Sequence, residues 1–404
     1  MKHPIPNFPE SLRQRCKEAV LLAAQWHAKT QIRHTWPHWT ADAGRFASTV
    51  NIADPTERIG YSICWNTARG VQALLSAYLL SKNPEDLKTA QLGMEFVKSC
   101  QIFEPEFPHH AGACKEENAQ TDHIASRDTV EAVQGFTNLY AVTKDPVALL
   151  RAKAGADWLT GWFLEKGYPN GYIWHKYQDD KGSVCDDFSR LMLSAAVLVL
   201  AQLDALTGEK RYTRHIPTFM DWVIEKSLEK DGALKIHDGT DVSHHAVKAG
   251  PLAGCFTNDD GAGVAMIAAW RATGSERYRV SALRNGEWWL KLPSLPETYA
   301  SIPSALNTLL DLYRLSGDQR YLDKSLPYLE KVLSMQHLDP SDERTHGGFC
   351  GQDLSSGRES KIHTSTNGMD YISHRTTLYA MMALAKAACV AENQWNLAYS
   401  GFGW

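Results

Sequence analysis

Asp186 and Asp187 stand side by side in "VCDDFSRLMLSAA", immediately ahead of a long apolar run, and Asp259 and Asp260 repeat the arrangement in "FTNDDGAGV". A single aspartate at a helix start is readily explained as a cap. Its carboxylate accepts orphan backbone N–H groups and suits the positive end of the helix dipole, a contribution of roughly 0.5–2 kcal/mol. The second member of each pair adds like-charge repulsion unless something uses it or raises its pKa. A carboxyl group kept protonated near neutral pH is what general-acid chemistry needs. Asp128, in "ASRDTVEAVQGF", is a further carboxylate at such a start, with Arg127 beside it. Arg127, and Arg190 one turn beyond Asp187, also provide a purely structural account in which guanidinium groups neutralise the acids.

The elements that position these groups are set by a recurring junction: "LTGEKRY" at 206–212, "ATGSERY" at 272–278 and "LSGDQRY" at 315–321. Each follows an apolar run and precedes an amphipathic one, with Gly placed to end one helix and a short polar residue placed to start the next. "LSKNPEDLK" (80–88) and "VTKDPVALL" (142–150) fill the same role, with Pro suited to a first helical turn. Reading outward predicts helices over 9–30, 59–82, 84–101, 125–143, 146–167, 185–207, 209–229, 259–273, 275–291, 299–316, 318–337 and 369–391. The even-numbered ones are rich in small and apolar residues and belong inside; the others carry charge along one face. Six inner and six outer helices predict an all-α (α/α)6 toroid, a single catalytic domain over 1–404. An open solenoid of helix pairs is the competing architecture. Long connections at 31–58, 102–124, 168–184, 230–258 and 338–368 all enter the N-terminal end of an inner helix, which marks that face as the functional one.

One cavity then collects the inner-helix mouths. The second helix brings Tyr61, Trp65 and Asn66; the fourth brings Arg127, Asp128 and Glu131; the sixth brings Asp186, Asp187 and Arg190. The eighth adds Asn258, Asp259 and Asp260, and the twelfth adds Asp370, Tyr371, His374 and Arg375. Trp174 and His175, with His109, His110, His123, His244, His245, His346 and His363, lie in the loops between. Tryptophan beside carboxylates suits a sugar ring, which needs an apolar face to stack on and fixed acceptors for its hydroxyls. Trp36, Trp39, Trp65 and Trp174 sit where this is feasible, whereas Trp26, Trp158, Trp222, Trp288 and Trp289 fall at helical spacing among apolar residues and read as outer-helix packing.

Composition narrows the partner. With 42 basic and 46 acidic residues, a formal charge of −4 and no basic run, the chain is unsuited to nucleic acid or an anionic membrane. No secretory leader or spanning segment is apparent, so a cytoplasmic location is expected. Eight scattered cysteines without a CxxC pair suggest neither a disulfide framework nor a zinc knuckle. The pairs His109-His110 and His244-His245 lack metal-ligand spacing, and no phosphate-binding glycine loop occurs, so no metal and no cofactor is expected.

The alternating helices, the "TGxxRY" turns, Asp128 in "SRDTVEAVQGF" and Asp187 in "CDDFSRLML", 59 residues apart, together resemble the unsaturated glucuronyl and rhamnogalacturonyl hydrolases, chiefly over 125–225. A sister family of toroid β-glucuronidases is similar in the same respects. The resemblance implies an (α/α)6 toroid that removes a terminal uronic acid, unsaturated or saturated, from an oligosaccharide. For the unsaturated case it implies a carboxylic acid that protonates the vinyl-ether carbon and then, as carboxylate, helps water add. Asp187 beside Asp186 suits the acid, and Asp128 would position the substrate or stabilise charge. For the saturated case two carboxylates would flank the bond. Arg127, Arg375 and His374 are the candidates to bind the uronate carboxylate. Two other chemistries fit the same fold: an epimerase of the N-acylglucosamine type using His374 and loop histidines, and a uronate-specific polysaccharide lyase using Tyr61, Tyr371 or His374.

Overall fold

The computed structural model describes residues 8–33, 42–54, 60–164, 172–174, 176–179, 182–184, 194–235, 262–292, 301–351 and 370–391. Among the described residues there are twelve α-helices: α1 (Glu10–Thr30), α2 (Cys64–Ser81), α3 (Pro84–Cys100), α4 (Ser126–Thr143), α5 (Pro146–Leu164), α6 (Ala195–Thr207), α7 (Ile216–Lys226), α8 (Ala262–Thr273), α9 (Glu276–Lys291), α10 (Ser301–Ser316), α11 (Gln319–Ser334) and α12 (His374–Ala391). The even-numbered helices form a ring: α2 packs on α4, α4 on α6, α6 on α8, α8 on α10, α10 on α12, and α12 returns to α2. Each is backed by an odd-numbered partner, with α1 closing the outer layer against α12. This closure makes the fold an (α/α)6 toroid and excludes the open solenoid.

Burial follows from the residues. In α6, "AAVLVLAQLDALT", every side chain from Ala195 to Asp204 is buried, as an inner helix between two neighbours and an outer partner requires. In α11 only Tyr321, Leu322, Ser325, Tyr328, Leu329 and Val332 are buried, the one-sided stripe of an outer helix. No helix among the described residues is long and apolar enough to cross a membrane.

The hairpin turns share a geometry that their sequences only partly share. Lys82, Lys144, Gly208, Gly274 and Gly317 all adopt the left-handed conformation just past an inner helix, with φ between 59° and 74°. The N–H of each is bonded to a carbonyl of the preceding turn, satisfying an orphan acceptor. The hydroxyl one residue earlier, on Ser81, Thr143, Thr207, Thr273 or Ser316, accepts the N–H one residue later.

A second repeat was not apparent in the sequence. Gln31, Gln101 and Gln336 follow outer helices, and each side-chain amide donates both to a loop glycine carbonyl (Gly44, Gly112, Gly347) and to a carbonyl of the neighbouring outer helix (Thr89, Arg151, Ala19). The starts of three of the long loops are thereby tied to the outer wall before they cross to an inner-helix mouth.

Three predicted helix starts differ. Residues 60–63 are not helical, because Tyr61 bridges Ala47 and the Ser62 hydroxyl accepts the Phe46 N–H in a loop layer, and α2 begins at Cys64. Tyr371–Ser373 form a strand antiparallel to Thr49–Asn51, so α12 begins at His374 rather than near 369. The α6–α7 turn is longer than expected: the Asp204 carboxylate accepts the N–H groups of Tyr212 (2.9 Å) and Thr213 (2.7 Å), a 3₁₀ turn follows, and α7 starts at Ile216. The start predicted for the sixth inner helix, 185–193, lies outside the described residues.

Candidate active site

Three of the described inner-helix mouths converge. Trp65 enters from the first turn of α2, Arg127 and Asp128 from the first turn of α4, and Arg375 from the first turn of α12. The Arg127 guanidinium carbon lies 4.9 Å from the Trp65 ring centroid and that of Arg375 lies 5.2 Å from it. Sequence reasoning offered Trp65 as a stacking surface for sugar. The structure instead buries it (8% exposed) with two cations against it, so its ring serves to seat the guanidinium groups.

Asp128 has no solvent exposure. Its Oδ2 lies 3.4 Å from Nη2 of Arg127, while Oδ1 is buried with no hydrogen-bond partner among the described residues. Burial pushes its pKa up to about 7, against the opposing charge of Arg127. A carboxyl group with one oxygen unused, protonated around neutral pH and placed at a helix mouth has the properties of a general acid or base.

Two further residues complete this corner, and neither comes from a helix. Glu116, in the loop between α3 and α4, places Oε1 3.0 Å from Arg127 Nη2 and Oε2 3.0 Å from His123 Nε2. Burial alone would raise Glu116, but the hydrogen bonds and charges of His123 and Arg127 prevail and hold it below the usual carboxylate range. His123 is raised in return, chiefly by its hydrogen bond to Glu116. The Glu116 backbone is fixed as well, its N–H bonded to the His123 carbonyl and its carbonyl accepting the N–H of Cys64 at the head of α2. His123 was among the loop histidines expected near the mouth. Glu116 was not anticipated, because a lone glutamate in a polar loop carries no periodic or capping signal.

Glu131, one turn below Asp128, is committed to a buried pair: Arg69 donates to both of its carboxylate oxygens, and the Arg69 guanidinium lies over the Tyr379 ring. This pair ties α2 to α4 beneath the mouth. Asn66 sits at the same level and passes its backbone carbonyl to Nε2 of His374 at 3.0 Å. His374 is fully buried, stacked on Phe46 and bonded through Nδ1 to His27. Both of its nitrogens are therefore engaged within the protein, and the ring packs between α1, α2 and the α1–α2 loop instead of facing a substrate. Trp174 contributes backbone to the site's edge: it lies in a strand, Tyr172–Trp174, that pairs with Ile124–Ala125 just ahead of α4. Asp186, Asp187, Arg190, His175 and Asp260 lie outside the described residues, as do His244, His245, Asn258, Asp259 and His363.

Neither a protein-family profile nor a curated protein sequence matches the chain. Solved structures do. An unsaturated glucuronyl hydrolase specific for heparin aligns with TM-score 0.66 and 14% identity over 94% of this chain and 98% of that one. Cellobiose 2-epimerase from Bacillus thermoamylovorans aligns with TM-score 0.64 and 12% identity over 92% and 98%. An α-1,6-mannanase from a Salegentibacter species, in an inactive form with two adjacent aspartates replaced and mannotetrose bound, aligns with TM-score 0.59 and 11% identity over 93% and 99%. At these identities the likeness is one of fold, and it is full-length.

Proposed function

We propose that the chain is an exo-acting glycoside hydrolase, one toroid domain over 1–404, that removes a terminal glucuronic acid residue, unsaturated or saturated, from oligosaccharides. The observation that carries the reading is Asp128: fully buried, with a free Oδ1, and protonated up to about pH 7. Arg127 and Arg375, gathered at Trp65, make the adjoining lip cationic, which suits a uronate carboxylate. The heparin-specific glucuronyl hydrolase among the structural neighbours lends support at the level of fold.

In the unsaturated version the Asp128 proton goes to the vinyl-ether carbon. The resulting carboxylate then takes a proton from water as the water oxygen bonds to the neighbouring ring carbon, and the hemiketal so formed opens to release the remaining sugar. This gives Asp128 the role that sequence reasoning gave Asp187, with Asp187 as the second carboxylate. An epimerase alternative would rest on the loop histidines, since His374 has no ring nitrogen to spare.

A second reading rests on the adjacency of Asp186 and Asp187. Replacing two adjacent aspartates accompanies loss of activity in the mannanase neighbour, and the same pair here would act on a neutral α-linked oligosaccharide. The two are separated by product release from an unsaturated uronyl disaccharide, an aryl β-glucuronide and an α-1,6-manno-oligosaccharide, using wild type, Asp128→Asn and Asp187→Asn. Uronide turnover lost in Asp128→Asn, by about 100-fold or more, supports the first reading. Turnover of the mannoside alone overturns it.

A further inference from the structure

Glu116, His123, Arg127 and Asp128 form one connected charge cluster. A single nitrogen, Nη2 of Arg127, is shared between Glu116 at 3.0 Å and Asp128 at 3.4 Å, and Glu116 spends its other oxygen on His123 at 3.0 Å. With Glu116 ionised, as the hydrogen bonds and charges of His123 and Arg127 keep it, two carboxylates, one guanidinium and one imidazole reach electrical neutrality in two ways. Either Asp128 is ionised and His123 is protonated, or Asp128 holds the proton and His123 is neutral. Asp128 is fully buried and the other three are part-exposed, so a net charge is penalised chiefly at Asp128, which favours these two states over those with one proton more or fewer.

We propose that Glu116 and His123 are positioning residues for Asp128, acting through the shared Arg127 nitrogen to decide whether Asp128 or His123 holds the site's exchangeable proton. This rests on reading Asp128 as the acid. With His123 neutral, the full charge of Glu116 competes for Arg127 and repels an ionised Asp128, so Asp128 keeps its proton. With His123 protonated, Glu116 is compensated and Arg127 is released to stabilise the Asp128 carboxylate. His123 is part-exposed (28%) and Asp128 is not, so the cluster also joins the buried acid to solvent.

Among the described residues, the charged and titratable groups bearing most on Asp128 are Arg127 from its own helix and Glu116 and His123 from the α3–α4 loop, with Arg375 of α12 on the far side of Trp65. The thiols of Cys64, heading α2, and Cys100, ending α3, feel its charge from below. Arg127 is in turn held by Glu131 on α4, which the Arg69 of α2 neutralises. Of these, only Glu116 and His123 change the charge beside Arg127 without removing it.

The test follows the Asp128 titration directly, by carboxyl-labelled aspartate NMR on the whole protein with Asp128→Asn identifying the signal, alongside the pH profile of kcat/KM. Glu116→Gln is expected to lower the Asp128 titration midpoint by about 1–2 pH units and His123→Gln to raise it, the size reflecting removal of one charge at this range. Opposite shifts are the signature, because mere loosening of the loop would move both variants the same way. Shifts of the same sign, or none, overturn the proposal. Should Glu116→Gln fail to fold, Glu116→Asp withdraws the carboxylate from Arg127 and is expected to lower the midpoint by a smaller amount. If Asp128→Asn retains full turnover, the catalytic reading fails while the NMR titration still decides the linkage. If turnover is lost but the midpoint ignores both variants, only the linkage fails.

Discussion

His27 and His374 meet ring to ring across the seam between α1 and α12, with Nε2 of His27 3.0 Å from Nδ1 of His374. The outer nitrogens contact backbone carbonyls, Nδ1 of His27 on Ala23 at 3.1 Å and Nε2 of His374 on Asn66 at 3.0 Å. Three contacts need three protons, whereas two neutral imidazoles carry two. Burial keeps the third out: it holds His374 down to about 4 and His27 well below its ordinary value. An unfolded chain protonates both rings below about pH 6.5, so between there and about pH 4 it binds protons that the native state refuses, and stability falls as pH falls. Urea denaturation is expected to lose up to about 1.4 kcal/mol per pH unit for each excluded proton in that window. His374→Gln should flatten the slope; an unchanged slope would show that the rings do not set it.

Asp128 gives a slope of the opposite sign. Its carboxyl ionises near its ordinary 3.8 when unfolded but only at about 7 when folded, so across that interval the folded state binds more protons and stability falls as pH rises. Asp128→Asn removes the cost of ionising a buried group. We expect it to stabilise the protein by on the order of 2 kcal/mol at about pH 8 and to have little effect near pH 4. Equal effects at the two pH values would mean that Asp128 is not a buried, late-ionising acid.

The hairpin turns allow a test of backbone conformation against side-chain contact, since the Lys144 ammonium also lies 5.3 Å from the Tyr140 ring centroid. Lys144 adopts φ 60° and Lys82 φ 59°, where a Cβ is unfavourable, while Gly274 occupies the same place at φ 72° with nothing near its missing Cβ. Lys144→Gly is expected to raise stability by roughly 0.5–1 kcal/mol and Gly274→Lys to lower it by about 1 kcal/mol, read as shifts in thermal midpoint. Opposite signs are required by a shared left-handed turn; the same sign in both would indicate that side-chain contacts dominate.

These turns explain why the architecture is legible in the sequence. "TG", "SG" and the lysine versions are local signals, and the contrast between "AAVLVLAQLDAL" and the striped α11 distinguishes inside from outside within a single helix. Arg127 and Asp128 were legible for the same reason, since the start of α4 can be counted from its turn; Trp65 and Arg375 were placed near a mouth although their helices begin about five residues later than the sequence predicts. What the side chains do there was not. Trp65 seats cations and His374 is sealed against Phe46 because loops fold over them, and those contacts join residues far apart in sequence. Glu116 enters through such a loop, and only the tertiary anchoring of that loop gives it a role.

That anchoring can be broken remotely. The Gln101 amide donates to Gly112 and to Arg151, each at 3.0 Å, and so ties the loop carrying Glu116 and His123 to α3 and α5. Gln101→Ala removes both bonds, together with the contact from Arg151 Nη1 to Gln101 Oε1, and leaves the buried Gly112 carbonyl without its side-chain donor, at a cost of about 1–3 kcal/mol. It touches none of Trp65, Arg127, Asp128 or Arg375. If the loop delivers Glu116 to Arg127, the variant should remain folded, release the Glu116–Arg127 contact and displace the pH optimum in the direction of Glu116→Gln, with KM changed less than kcat. The measurement is a pair of pH-rate profiles at a temperature where both proteins are fully native. A loss of stability with an unmoved profile would show that Glu116 holds its place through its own backbone bonds to Cys64 and His123, without help from the outer wall.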